Sequence, residues 1–287
     1  MSAVGFIGLG MMGRPMAENL LAKGTELVTC DAAGVALEGA AVARDAADVA
    51  RRAGTVILML PDSPAVASVM PALLDAMAPG GLVIDMGSSQ PAETRRWAAE
   101  LGARGCAMLD APVSGSVVKA RAGTLAIMVG GAAADLVRAE PLLRRMGEAI
   151  IPTGPVGSAH AMKALNNYVY AAGLLAVAEA ALMAEAEGLD LGILTAVMNA
   201  SSGRNIATET KLAQEIIPGR YAGGFQLGLM RKDLETAGGI AARTGTPHAL
   251  LELCRAEWER ATAALGPRAD NTEIHRHLAG RGRSGGG

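Results

Sequence analysis

The run Val4-Gly5-Phe6-Ile7-Gly8-Leu9-Gly10-Met11-Met12-Gly13 constrains the fold of this 287-residue chain more than any other stretch. An apolar segment of strand type ends in Gly8-x-Gly10-x-x-Gly13, and a helix-compatible stretch, Arg14 to Ala22, follows at once. At that spacing Gly8 permits a tight strand-to-helix turn. Gly10 lets a pyrophosphate approach the backbone, and Gly13 lets helix and strand pack closely. The start of the following helix offers unpaired N–H groups to an anion, with Leu9, Met11 and Met12 supplying the rest of the turn. Glycine-rich turns also arise for purely structural reasons. A strand before and a helix after is the context that a dinucleotide fingerprint requires, and both are present.

Which dinucleotide is expected follows from the next strand. Glu26 to Cys30 reads as β and ends at Asp31. An acid about 20 residues beyond the glycines is placed to accept hydrogen bonds from ribose hydroxyls, and its charge repels a 2′-phosphate. No Arg or Lys follows until Arg44, so NAD is expected over NADP. The plainer reading is that Asp31 simply opens a turn.

Up to about residue 155, short β-type runs alternate with helical segments. Thr55 to Leu60 ends at Pro61-Asp62, and Leu82 to Met86 ends at Gly87-Ser88-Ser89; Ala107 to Asp110 and Leu125 to Val129 follow. Near-continuous apolar strands separated by helices indicate a mostly parallel sheet covered on both faces. Ligands bind outside the carboxyl ends of such strands, where Asp31, Leu60, Pro61 and Ser88 all fall. The expected architecture is an α/β Rossmann-type domain over residues 1–157, followed by an all-α domain over 158–280. A long helix over about 160–187, about 42 Å at 1.5 Å per residue, is expected to join them. Further helices are expected at Leu191–Asn199, Asn205–Glu215, Leu227–Thr244 and Ala249–Ala264. No strand signal appears beyond residue 155, and 281–287 reads as a flexible low-complexity tail.

Composition narrows the function classes. The chain is 51% hydrophobic but only 2% aromatic, so Ala, Leu, Val and Met must fill the core. A net charge of −2 gives no electrostatic case for nucleic acid. Cys30, Cys106 and Cys254 fit neither a disulfide framework nor a metal site, and Cys30 and Cys106 are expected in strands. His160, His248, His275 and His277 are scattered, so no metal centre is expected. The longest apolar run, Val169 to Ala178, is cut off by Glu179, short of the about 18 to 20 residues of a membrane span. No signal peptide is read at the N-terminus, and a cytoplasmic protein without membrane partners is expected.

Three stretches hold candidate chemistry. Lys163 and Asn167 are four residues apart near the start of the long helix, on one face. A lysine among small apolar residues is expected to be partly desolvated, which suits proton exchange with a hydroxyl, while Asn167 is able to orient that hydroxyl. By spacing alone, such a pair also fits a solvated helix face. Asp110-Ala111-Pro112-Val113-Ser114-Gly115-Ser116 ends in a turn whose hydroxyls and N–H groups suit a carboxylate, though it equally suits an ordinary loop. Lys232-Asp233 is either surface decoration or a pair in which Lys232 reaches a cofactor and Asp233 bonds the reactive lysine.

The combination and order of these motifs resemble the β-hydroxyacid dehydrogenases, the 3-hydroxyisobutyrate dehydrogenases and tartronate semialdehyde reductases among them. The likeness runs from GFIGLGMMGRPMAENLLAKG (5–24) through DAPVSGS (110–116) and GTLAIMVGG (123–131) to GPVGSAHAMKALNN (154–167) and KDL (232–234). The resemblance implies that Lys163 is the catalytic lysine and that Ser114, Gly115, Ser116 and Asn167 face the substrate. It also implies that Lys232 and Asp233 close the site from the second domain, and that Phe225 lies near nicotinamide and substrate. It further implies a small hydroxy-acid substrate and a homo-oligomer, dimer or tetramer, built on the long helix and helical domain. Three departures touch these motifs. Ala159 stands where members usually have glycine, Gly87-Ser88 where a Ser-Thr pair is common, and Ser116 where glycine often ends SGG. The expected activity is hydride exchange between NAD and a 3-hydroxyisobutyrate-like acid or its semialdehyde. The alternatives are an NADPH-preferring semialdehyde or imine reductase of the same fold and a non-catalytic NAD-binding protein.

Overall fold

The computed structural model describes residues 3–284 and divides into two compact units, Met1–Lys163 and Ala164–Gly287. The first unit opens with β1 (Val4–Ile7), α1 (Gly13–Ala22), β2 (Leu27–Cys30), β3 (Ala41–Val42), α2 (Ala46–Arg52) and β4 (Thr55–Leu58). It continues with α3 (Ser63–Ala76), β5 (Leu82–Asp85), α4 (Pro91–Gly102), β6 (Ala107–Asp110) and β7 (Val113–Ser114). Then come α5 (Val117–Ala122), β8 (Leu125–Gly130), α6 (Ala133–Leu143) and β9 (Gly147–Gly154).

These strands form one sheet in the order β3-β2-β1-β4-β5-β6-β8-β7, with β9 beside β8. The ladder from β3 to β6 is parallel throughout, whereas β6 and β7 meet β8 antiparallel. The order 3-2-1-4-5-6 reverses between β1 and β4, and that switch point opens the ligand crevice of doubly wound sheets. Both faces are covered by apolar clusters. One gathers Phe6, Met16, Leu20, Ile57, Ile84 and Ile127; the other gathers Ile7, Val49, Leu58, Met70, Val83 and Leu101.

The parallel α/β half was legible from the apolar runs, but three strands were not. β3 and β7 are two residues each, and β9 is an edge strand carrying Glu148 and Pro152 in which only Gly147 is fully buried. Its apolar stretch, Ala149-Ile150-Ile151, is closed off by Glu148 and Pro152, residues that are depleted in strand interiors. Cys106 precedes β6 by one residue rather than lying in a strand, and it is buried as a small apolar side chain.

α7 (Ser158–Ala186) runs for 29 residues from the first unit into the second. Its length and composition would suit a bilayer crossing, which corrects the expectation that no stretch approached one. Its residues Ala171, Leu174, Ala178 and Ala181 are instead buried in the core of the second unit, with Leu212, Leu234 and Trp258. The remaining helices are α8 (Leu191–Ala200), α9 (Leu227–Thr244), α10 (Ala249–Leu265) and α11 (Ile274–Ser284). The expected helix over 205–215 is present as wider π-type turns over Ala207–Ile216. α11 carries helical backbone through Ser284, so it enters the stretch 281–287 set apart as a tail; residues 285–287 lie outside the described residues.

Candidate active site

The three glycines of the first turn are required for different reasons. Gly8 has φ +99°, and a Cβ there would stand 2.4 Å from the Met59 carbonyl oxygen across the β1–β4 switch point. A Cβ on Gly13 would stand 2.0 Å from the Gly8 carbonyl oxygen, so turn and helix touch at that residue. At Gly10 nothing lies within 4 Å. Two glycines are thus demanded by packing and the middle one is open, the arrangement a pyrophosphate cradle needs.

Around that open backbone lies a cavity of about 700 Å³, lined by Leu9, Gly10, Met11, Arg14, Pro15, Glu18 and Arg121. The start of α1 has no side-chain cap; the Arg14 amide already donates to the Gly10 carbonyl (3.0 Å) and Pro15 has no N–H, so an anion would be met by the amides of the glycine turn itself. Arg121 reaches the cavity from α5, about a hundred residues away in the chain, and no local motif flagged it. A second cavity, about 380 Å³ and lined by Val4, Thr55, Arg138 and Arg145, opens at the opposite strand ends. In sheets of this type ligands bind at the carboxyl ends, so the glycine-turn cavity is the relevant one.

Asp31 accepts from the Leu9 amide through Oδ2 (2.7 Å) and from the Ala33 amide through Oδ1 (2.9 Å). It opens a turn, and it also ties the end of β2 to the glycine loop, a contact the sequence did not show. Beside it, burial and then the charges of Asp45, Asp31 and Asp48 push the Cys30 thiol up, away from reactive thiolate.

The turns after β4 and β5 also meet. A Cβ on Gly87 would come within 2.5 Å of the Leu60 carbonyl oxygen, so Leu60-Pro61 and Gly87-Ser88 pack backbone to backbone. This close approach leaves no room for a side chain at position 87. The Ser63 hydroxyl accepts from the Gln90 amide (2.8 Å) and fastens the same two turns. Leu60, Pro61 and Ser88 therefore share one rim with the glycine turn.

Ser114 ends β7 and is half-buried; Gly115 has φ +139°, and Ser116 precedes α5 without capping it through its side chain. Lys163 lies in the second turn of α7, half-buried, between exposed Met162 and buried Ala164. Ala159, the departure from glycine, is wholly buried in the first turn of that helix.

In the second unit, Asn167 Nδ2 donates to Asp233 Oδ2 at 2.5 Å, with both residues buried. Lys232 Nζ stands 3.5 Å from Asp233 Oδ1. Asp233 thus takes the Asn167 amide on one carboxylate oxygen and has Lys232 beside the other. Phe225 is held by its backbone, its amide donating to Asp270 (3.3 Å) and its carbonyl accepting from Asn271 (2.7 Å). His160, set aside in the sequence as a scattered histidine, is wholly buried between Asp85 and Asp110.

A sheet of this order with an open glycine cradle at its switch point is the arrangement of a dinucleotide-binding domain. Residues 3–154 match the family model described as the NAD binding domain of 6-phosphogluconate dehydrogenase. Residues 157–278 match that described as NAD-binding of NADP-dependent 3-hydroxyisobutyrate dehydrogenase. The NAD-dependent L-serine dehydrogenase of Pseudomonas aeruginosa is 40% identical over 269 residues, covering 88% of this chain and 90% of that protein. The Mycobacterium tuberculosis 3-hydroxyisobutyrate dehydrogenase solved with L-serine superposes with a TM-score of 0.91 at 34% identity, over 97% of this chain and 99% of that one. The chain belongs to the β-hydroxyacid dehydrogenase family, as its motifs indicated, and is a 3-hydroxyacid dehydrogenase using NAD(P). An imine reductase of Streptomyces aurantiacus, 23% identical with a TM-score of 0.63 over 96% of this chain and 99% of that one, shares the fold alone.

Proposed function

We propose that this enzyme exchanges a hydride between NAD and a small β-hydroxy acid resembling 3-hydroxyisobutyrate or serine, with Lys163 as the general acid and base. The observation that carries the reading is the division of labour among the glycines, packed at 8 and 13 and open at 10, together with a half-buried lysine at position 163. Gly8, Leu9, Gly10, Met11, Met12 and Gly13 would hold the pyrophosphate; Asp31 would hold the adenosine ribose, and Leu60, Pro61 and Ser88 would line the remaining cofactor path. Bound NAD supplies the hydride acceptor or donor.

The chain's own residues do the rest. Ser114, Gly115 and Ser116 seat the substrate carboxylate through hydroxyl and backbone N–H groups. The Lys163 amine takes the hydroxyl proton during oxidation and returns it during reduction. Asn167 orients the hydroxyl, with its amide fixed by Asp233. Phe225 and Lys232 serve the cofactor. We assign residues 1–157 to nucleotide binding and 158–280 to the helical domain. Exposed Val169, Met183, Leu189, Ile193 and Val197 on α7, α8 and the turn between them support a homo-oligomer built on the helical domain. A cytoplasmic location fits this chemistry.

Absorbance at 340 nm with a panel of short hydroxy acids and their semialdehydes, each with both nicotinamide cofactors, tests the reading. Turnover is expected for at least one β-hydroxy acid, and more efficiently with NAD(H), because the Asp31 carboxylate repels a 2′-phosphate. Silence across the panel would favour a non-catalytic binding protein; activity confined to imines would favour the imine reductases. A preference for NADPH would refute the role given to Asp31.

A further inference from the structure

Three wholly buried ionisable side chains in the first unit have no part in the chemistry above: Asp85, Asp110 and His160. Asp85 and Asp110 end the adjacent parallel strands β5 and β6 and stand directly opposite each other in register. Two carboxyl groups so placed in a dry interior each need hydrogen bonds to be tolerated there.

Those bonds go to the backbone of two particular segments. Asp85 accepts from the Gly87 amide (3.0 Å) and the Ser89 hydroxyl (2.6 Å), which fixes the turn bearing Ser88. Asp110 accepts from the Gly157 amide (2.7 Å) and the His160 amide (2.9 Å), capping α7 from a residue far away in the chain. Gly157, at φ +86°, turns its amide toward that carboxylate. Gly130 leaves it room, since a Cβ there would meet Asp110 Oδ1 at 2.5 Å.

The His160 ring sits between the two acids, 3.8 Å from Asp85 Oδ2 through Nε2 and 4.0 Å from Asp110 Oδ2 through Nδ1. Its Nδ1 pairs with the Thr94 hydroxyl (2.8 Å), which in turn reaches the Gln90 carbonyl at the start of α4 (3.2 Å). Nε2 is buried with no hydrogen-bond partner among the described residues, so it faces the Asp85 side without being spent elsewhere. One imidazole thereby joins the turn after β5, the start of α4 and the start of α7.

We propose that His160 and Asp110 are positioning residues. Together with Asp85 they lock the first turn of α7 to the sheet, and so set the placement of the Lys163 amine, three residues further on, relative to the Ser88 turn. This rests on the reading of Lys163 as the acid and base. The link is geometric: Lys163 follows His160 by about 4.5 Å of helix rise, and tilt or rotation of an unclamped first turn is carried directly into the amine.

The test uses His160→Gln, which keeps an amide of similar reach, and Asp110→Asn, which offers one carboxamide oxygen to two N–H donors. In the cofactor-free protein, hydrogen exchange over residues 155–163 should quicken in both variants while exchange at the glycine turn stays as it was. In the assay, kcat should fall about 10- to 100-fold, the range expected for a reactive group displaced by an ångström or less. Substrate KM and the NADH dissociation constant should change less than about threefold, and the isotope effect with deuterated NADH should rise. A merely structural role predicts a lower melting temperature with kcat per folded molecule and isotope effect unmoved, and that result overturns the proposal. So does a loss of kcat/KM carried by KM. Should Asp110→Asn not fold, His160→Gln decides by the same readings. If Lys163→Ala turned over normally, the acid–base reading would fail, while the exchange data would still report whether the clamp exists.

Discussion

The glycine turn of the first unit and the Asn167–Asp233 pair of the second are made of opposite materials. The turn works by what is missing: at Gly8 and Gly13 a single carbon would strike a carbonyl oxygen, and at Gly10 its absence keeps the backbone bare. The pair works by what is present, two buried polar side chains from helices 66 residues apart in the chain, bonded at 2.5 Å. Backbone-made sites depend on local spacing, and side-chain-made sites depend on how distant elements pack. Substitutions in the two regions should therefore fail in different ways.

The largest effect is expected at Gly13. Gly13→Ala places a carbon 2.0 Å from backbone that cannot swing aside, so soluble, folded protein should be lost or its melting temperature sharply lowered. Gly10→Ala is its counterpart: the melting temperature should hold, while titration of NADH fluorescence shows about tenfold weaker binding, equivalent to about 1.4 kcal/mol. Equal destabilisation by both would erase the distinction between packing glycine and ligand glycine. Asp233→Asn should have the smallest effect. It retains an oxygen for the Asn167 amide but loses the charge, at a cost of about 1 kcal/mol in denaturant unfolding, with NADH affinity unchanged.

The same contrast explains what the sequence disclosed. The strands Thr55–Leu58, Leu82–Asp85 and Ala107–Asp110 were legible because each is built on an apolar run, Val56–Leu58, Leu82–Ile84 and Ala107–Leu109. Helix Leu227–Thr244 was legible to the residue, since Gly245 stops it in the left-handed conformation. Edge strand β9 was hidden by Pro152 and its exposed face. Within the site, the glycines, Asp31 and Ser88 could be placed on one rim from strand ends alone. The latch from Asp31 to Leu9 and the approach of Arg121 depend on tertiary packing and left no local trace. Asp85 and Asp110 did leave one: a carboxylate at the end of a strand buried on both faces must have partners. His160 as the shared neighbour had no such signal, because its link to Asp110 spans fifty residues.

Lys163→Ala tests the central claim most directly, with NADH oxidation at 340 nm and NADH binding measured on the same preparation. Removal of a general acid–base group should lower kcat by about 10²- to 10⁴-fold while NADH binds as in the parent enzyme. A kcat near that of the parent would contradict the account.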